Sequence, residues 1–298
     1  MTLICYQTKR FNQKALATIS QANAIIEEFQ AQGFTLTLRQ LYYQFVGKAL
    51  IPNTQKSYKR LGHVVSEARL AGLISWDAIE DRTRNVRALP HWSSPADVVN
   101  SAARGYHKNL WEDQDEQVEV WIEKDALVGV AERVCQKWDV PLLSCRGYTS
   151  QSELWRSAQR HKDYGVPVTV LHFGDHDPSG IDMTRDVQDR LSMFGADTTV
   201  CRMMLHKEQV DQYHLPPNPA KTTDSRFQAY EQEHGESSWE LDAVNPREIE
   251  RIAESAIIDH LDVELFKRKA AEMEAERALL TKASKNWRNL SKLIERMP

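Results

Sequence analysis

The chain has 298 residues, room for one large domain or two, and its 41% hydrophobic and 27% charged content is that of a globular protein. No apolar run reaches the roughly 18 to 20 residues needed to span a bilayer. The opening MTLICYQTKRFNQ has no apolar core leading into small residues, so neither a membrane segment nor a secretory signal is expected. Within a net charge of -4, residues 1–110 hold 14 Lys+Arg against 7 Asp+Glu, and the remainder holds 24 against 35. A basic first third suits a polyanion; the alternative is two surfaces of opposite sign that attract each other. Four scattered cysteines (Cys5, Cys135, Cys145, Cys201) form no C-x-x-C pair and read as thiols of a reducing cytoplasm.

Residues 12–32 place Ala15, Ile19, Ala22, Ile25, Ile26 and Phe29 at helical spacing, with Gly33 as a stop. Thr37 can cap a second helix, LRQLYYQFVGKAL. A third, SYKRLGHVVSEARLAGL, puts Tyr58, Leu61, Val65 and Ala68 on one face. Three helices followed by LISWDAIEDRTRNV suit a helix-turn-helix or winged-helix module over residues 1–90. Lys56, Lys59, Arg82, Arg84 and Arg87 are its candidate DNA-backbone contacts, which give affinity without sequence readout. Residues 91–115, with two serines, proline and the acidic WEDQDE, read as a connector.

From residue 116 the pattern alternates. VEVWIE, VPLLSC, VPVTVLHFG and DTTVCRMML read as strands. ALVGVAERVCQKW, QSELWRSAQRHK and IDMTRDVQDRLSMF read as the helices between them. Such alternation predicts an α/β fold with a mostly parallel sheet, whose functional groups gather beyond the carboxyl ends of the strands. Asn245-Pro246 starts a later helix, and a charged amphipathic helical extension closes the chain.

Three carboxylates fall at strand ends: Glu123 after the first, Asp175 and Asp177 after the third. Clustering them is costly without a cation, and hard oxygen donors without cysteine suit magnesium. The plain alternative is a strand-to-helix turn with an aspartate cap. Lys124 is either a phosphate contact or a solvent-facing lysine. In TLRQLYYQ, Arg39 and Tyr43 are four apart on one helical face, while Tyr42 points roughly 100° away, toward the core.

These motifs, in this order, resemble the A subunits of topoisomerase VI and the related meiotic double-strand-break proteins. DHDPSG is similar to their D-x-D-P-x-G element in a Toprim domain, TLRQLYYQ to their T/S-x-R-x-x-Y-Y element in a winged-helix domain, and WELDAVNPREIERI to the segment after Toprim. The resemblance implies Mg²⁺ on Glu123, Asp175 and Asp177, and Tyr43 as the nucleophile that joins a DNA 5′ phosphate, assisted by Arg39. It also implies double-stranded DNA as substrate, a homodimer in which the tyrosine of one protomer works with the metal site of the other, and a cytoplasmic, nucleoid-associated location. The sequence carries no Walker A motif, so strand passage would need a separate GHKL-type ATPase. Two alternatives stay open: a Toprim nuclease that uses metal-activated water with Tyr43 structural, and a DNA-binding or regulatory module with an inactive site.

Overall fold

The computed structural model describes residues 3–79 and 89–296. Among them, helix α1 (Gln13–Gln30) starts where the Asn12 side chain accepts the Ala15 N–H. Helix α2 (Leu38–Gly47) opens with a reciprocal capping box: Thr37 Oγ1 accepts the Gln40 N–H, and Gln40 Oε1 accepts the Thr37 N–H. Helix α3 (Gln55–Leu70) is capped by Thr54. The three bury Ile19, Ala22, Phe29, Leu41, Phe45, Leu61 and Val65 against one another, as the helical spacing predicts. Beyond them lie single bridges, Cys5 with Ala71 and Leu36 with Ile79. Arg82, Arg84 and Arg87 lie outside the described residues.

The segment read as a connector holds a helix of its own, α4 (Pro95–Gly105), with Ser94 as its cap and Pro95 in its first turn. Just past it, Leu110 and Trp111 enter the core, and the Trp111 indole donates to the Trp138 carbonyl at 2.7 Å.

The α/β part follows the expected alternation: β1 (Gln117–Ile122), α5 (Val128–Lys137), β2 (Leu142–Ser144), α6 (Gln151–Tyr164), β3 (Val168–Phe173), α7 (Pro178–Met193) and β4 (Thr198–Met204). The sheet order is β2-β1-β3-β4, and all neighbours are parallel. Every residue of β1 and β3 is buried, because helices cover both faces of the two central strands. Ile122 is paired with Phe173 at the end of that ladder. The register therefore delivers Glu123 and the residues after Phe173 to the same carboxyl edge.

The chain then forms α8 (Lys207–Gln212), the short antiparallel pair β5 (Asn218–Pro219) and β6 (Ser237–Ser238) with α9 (Phe227–His234) between them, and α10 (Pro246–Asp259), capped by Asn245. Helices α11 (Val263–Lys285) and α12 (Trp287–Ile294) follow. Helix α4 lies along α11, tied by Ser284 Oγ to the Ala96 carbonyl and by Arg277 Nε to the Tyr106 carbonyl. One apolar core runs without a break from Ile19 to Met273, so the helical module and the sheet are packed together. A smaller core on the other face of the sheet joins Trp121, Leu154, Val170, Val187 and Leu191. No helix among the described residues is long and apolar enough to cross a membrane.

Candidate active site

At the carboxyl edge the Asp175 N–H donates to Glu123 Oε2 at 2.9 Å, so the two strand-end carboxylates are adjacent by backbone geometry. Both are almost buried, 8% exposed for Glu123 and 5% for Asp175. Burial pushes each carboxyl above its ordinary range; Asp177 adds to the effect on Glu123, and Glu123 to that on Asp175. Asp177 begins α7, its Oδ1 accepting the Gly180 N–H at 2.6 Å and the Ser179 hydroxyl at 2.9 Å. That is the capping role, carried by the same residue that stands within electrostatic reach of Glu123.

Lys124 is neither solvent-facing nor free for a phosphate. Its ammonium lies 2.7 Å from Asp175 Oδ2 and 3.5 Å from Asp242 Oδ2, and it also pairs with Glu240. Burial works against this charge, but Asp175, Asp242 and Glu240 outweigh it and raise the lysine's pKa. A second cation reaches the same carboxylates from the helical module: Arg39 Nε donates to Asp242 Oδ2 at 2.9 Å and Arg39 Nη2 to Glu240 Oε2 at 3.0 Å. The Arg39 guanidinium is 5.7 Å from the centre of the Tyr43 ring. Tyr43 is 7% exposed, and it lines a 300 Å³ pocket with Arg39, Tyr42, Asn53, Thr54, Gln55 and Tyr58. Burial, with Glu240 in support, pushes its phenol up to about 12 against the opposing pull of Arg39 and Lys124. Tyr42 packs inward as expected, its hydroxyl donating to Asn53 Oδ1 and the Thr54 carbonyl.

Arg39, Tyr43, Glu123, Lys124, Asp175 and Asp177 thus come together. Lys56 and Lys59 do not; both are exposed on α3, and Lys56 lines a separate pocket with Lys14 and Arg60. Three members of the site escaped the sequence reading. Glu240 and Asp242 lie in WELDAVNP, two acidic residues separated by Leu241, a spacing that assigns them to no site. Arg202 is a lone arginine inside a strand; it donates to the carbonyls of Gly174, Asp175 and Gly180 and to Thr184 Oγ1, fixing the turn that carries the aspartates.

A divalent cation is tested by these donors. Mutually repelling carboxylates at a strand edge fit magnesium, which commonly takes one or two carboxylates and fills its shell with water and substrate phosphate. Among the described residues no group of three or more His, Cys, Asp or Glu side chains is arranged to hold a metal ion. The Asp175 oxygens are engaged by other groups as well: Oδ2 lies 2.7 Å from the Lys124 ammonium, and Oδ1 accepts the Leu241 N–H at 2.7 Å. A scan against known protein families finds no match to this chain, and a search of curated proteins finds none.

Proposed function

We propose that the chain is a Mg²⁺-dependent DNA-cleaving protein of the topoisomerase VI A-subunit type, with a winged-helix module that presents Tyr43 and a Toprim sheet that presents the carboxylates. The observation that carries the reading is the meeting of Arg39 with Lys124 on Glu240 and Asp242, which sets the tyrosine helix against the carboxylate edge. Glu123, Asp175 and Asp177 would hold the metal, which when bound supplies positive charge to a scissile phosphate. Tyr43 Oη attacks phosphorus and gives its proton to solvent; the P–O3′ bond breaks, and O3′ leaves as a hydroxyl after taking up a proton. The products are a 5′-phosphotyrosyl chain and a free 3′ end, and reversal needs no ATP. Arg39, held charged by its carboxylate partners and half exposed, adds charge beside the phosphate.

Double-stranded DNA would lie against the exposed Lys56 and Lys59 of α3. A homodimer would cut both strands, and a separate ATPase would be needed for strand passage. A cytoplasmic, nucleoid-associated location follows from that substrate. A second reading, a Toprim nuclease that uses water, is favoured by the phenol of Tyr43, which burial makes harder to ionise than an ordinary tyrosine.

Supercoiled plasmid incubated with protein and Mg²⁺, stopped with detergent and resolved with and without protease, separates the readings. Protein-linked 5′ ends that disappear in Tyr43→Phe and Asp175→Ala are the expected result. Protein-free cuts that survive in Tyr43→Phe but not in Asp175→Ala would establish the nuclease instead.

A further inference from the structure

We infer that a second cleft beside Arg39 is a subsite for one unpaired nucleotide of the DNA, its base against Trp76 and its phosphate toward Arg69. This rests on DNA as the substrate, as proposed above, and the test separates the two. The cleft holds 570 Å³, within the roughly 300–1,000 Å³ of small-ligand pockets. Leu38 of α2, Tyr58 and Val65 of α3, and Trp76 and Ile79 beyond it give largely apolar and aromatic walls. Arg39 and Tyr58 line both this cleft and the Tyr43 pocket, so the two adjoin and one strand can reach both.

A sugar–phosphate backbone alone gains nothing from apolar walls, and a base that stays paired in its stack cannot enter a cleft. Flat apolar faces beside a cation suit an extrahelical base with its phosphate. Trp76 is held in place by its neighbours: the Arg69 guanidinium lies 4.6 Å from its ring centre, and the Tyr6 ring meets it edge-on at 5.6 Å. Arg69 Nη2 donates to the Trp76 carbonyl at 2.8 Å, and the guanidinium makes no ion pair among the described residues, so its charge is left for an anion. Asp125, the acidic residue in the lining, faces Arg146 Nε at 3.1 Å, which offsets its repulsion of a phosphate. Lys59 and Ser66 stand two turns apart on one side of α3, so a duplex lying against Lys59 borders the cleft that Ser66 lines.

The test measures binding in EDTA, where no cleavage is expected, by fluorescence anisotropy of three labelled DNAs. They are a fully paired duplex, the same duplex with one unpaired adenine nucleotide, and that second duplex with the adenine base removed. Wild type is expected to bind the unpaired-adenine duplex about tenfold more tightly than either of the others, because unstacking is already done and base stacking is gained. Trp76→Ala should abolish the preference and Trp76→Phe retain it. Ser66→Phe, which fills the cleft from an exposed position, should abolish it too, with circular dichroism showing each variant folded. Equal affinity of wild type for the three DNAs, or a preference that survives both Trp76→Ala and Ser66→Phe, would overturn the inference. So would deoxyadenosine monophosphate that competes as well as the unpaired-adenine duplex, which would assign the cleft to a free nucleotide. A wild type that shows the preference but forms neither adduct nor cuts leaves the subsite standing and ends the cleavage reading. One that forms adduct without the preference does the reverse.

Discussion

His176 and Trp239 exchange both backbone hydrogen bonds, 2.9 Å in each direction, in an isolated antiparallel bridge. That bridge carries the segment after Trp239 past the turn after β3, and so brings Glu240 and Asp242 to Asp175. The His176 ring is turned into the protein. It is 3% exposed and packs against His234, Trp239 and Tyr230 at centroid distances of 4.8, 5.6 and 5.8 Å. Its role is to seat the bridge.

The turn that carries the aspartates allows no side chain at Gly180, where a Cβ would collide with the Asp175 carbonyl oxygen. Arg202 donates to the Asp175 and Gly180 carbonyls, so the turn has little freedom to retreat. Gly180→Ala is expected to cost about 1–3 kcal/mol of stability in urea unfolding. It should also lower plasmid cleavage more than its stability loss explains, because the Asp175 main chain is what moves.

The two adjacent tyrosines should separate cleanly. Tyr42→Phe removes a hydroxyl bonded to Asn53 and the Thr54 carbonyl and should cost about 1 kcal/mol while leaving adduct formation in place. Tyr43→Phe should leave the unfolding midpoint near that of wild type and abolish the adduct. Equal loss of adduct in both variants would mean that the pair acts only through packing.

Much of this was legible in the sequence. The strands of the sheet announced themselves because central parallel strands are buried on both faces, as in VTVLHF, and the register of β1 with β3 did the rest. Asp177 was harder, since an aspartate before a proline suits a helix cap as well as a metal. The connector concealed α4 because Ser94 and Pro95, read as breakers, are a cap and a first-turn residue. Lys124 reads in the sequence as a phosphate contact or a solvent-facing lysine, and only the fold reveals the carboxylates around it. Glu240 and Asp242 could not be placed at all, because a single backbone bridge to a distant residue brings them to the site, and such a bridge leaves no periodicity.

Magnesium should stabilise the protein through the strand-edge carboxylates. At about ten times its Kd, a ligand bound only by the folded state adds about 1.4 kcal/mol. Wild type is expected to show a Tm that rises with Mg²⁺ concentration, and the double variant Glu123→Gln, Asp175→Asn to show none of that rise. Calorimetric titration of the same pair checks the result without reference to cleavage. An equal rise in both proteins would place the bound metal elsewhere.

Stability at low pH should depend on a network remote from the site. Glu119, in the middle of β1, is 1% exposed; it accepts Arg160 Nε at 2.7 Å, Arg160 Nη2 at 2.8 Å and the Trp121 indole at 2.9 Å, and His161 Nε2 lies 3.3 Å away. Burial alone would raise its carboxyl, but Arg160 and His161 win and hold it down at about 2. A carboxylate with a depressed folded-state pKa contributes stability that is fully present above the ordinary value of 4.5 and is lost as pH falls toward 2. Glu119→Ala should therefore cost about 3 kcal/mol near neutral pH, the low end for a broken buried pair, because Arg160 is 36% exposed and can return to water. Glu119→Gln should lose the acid dependence in particular: between about pH 5 and about pH 3 its unfolding free energy should fall less steeply than that of wild type in urea titrations. Parallel slopes for the two proteins would show that the charge on Glu119 contributes nothing to the fold.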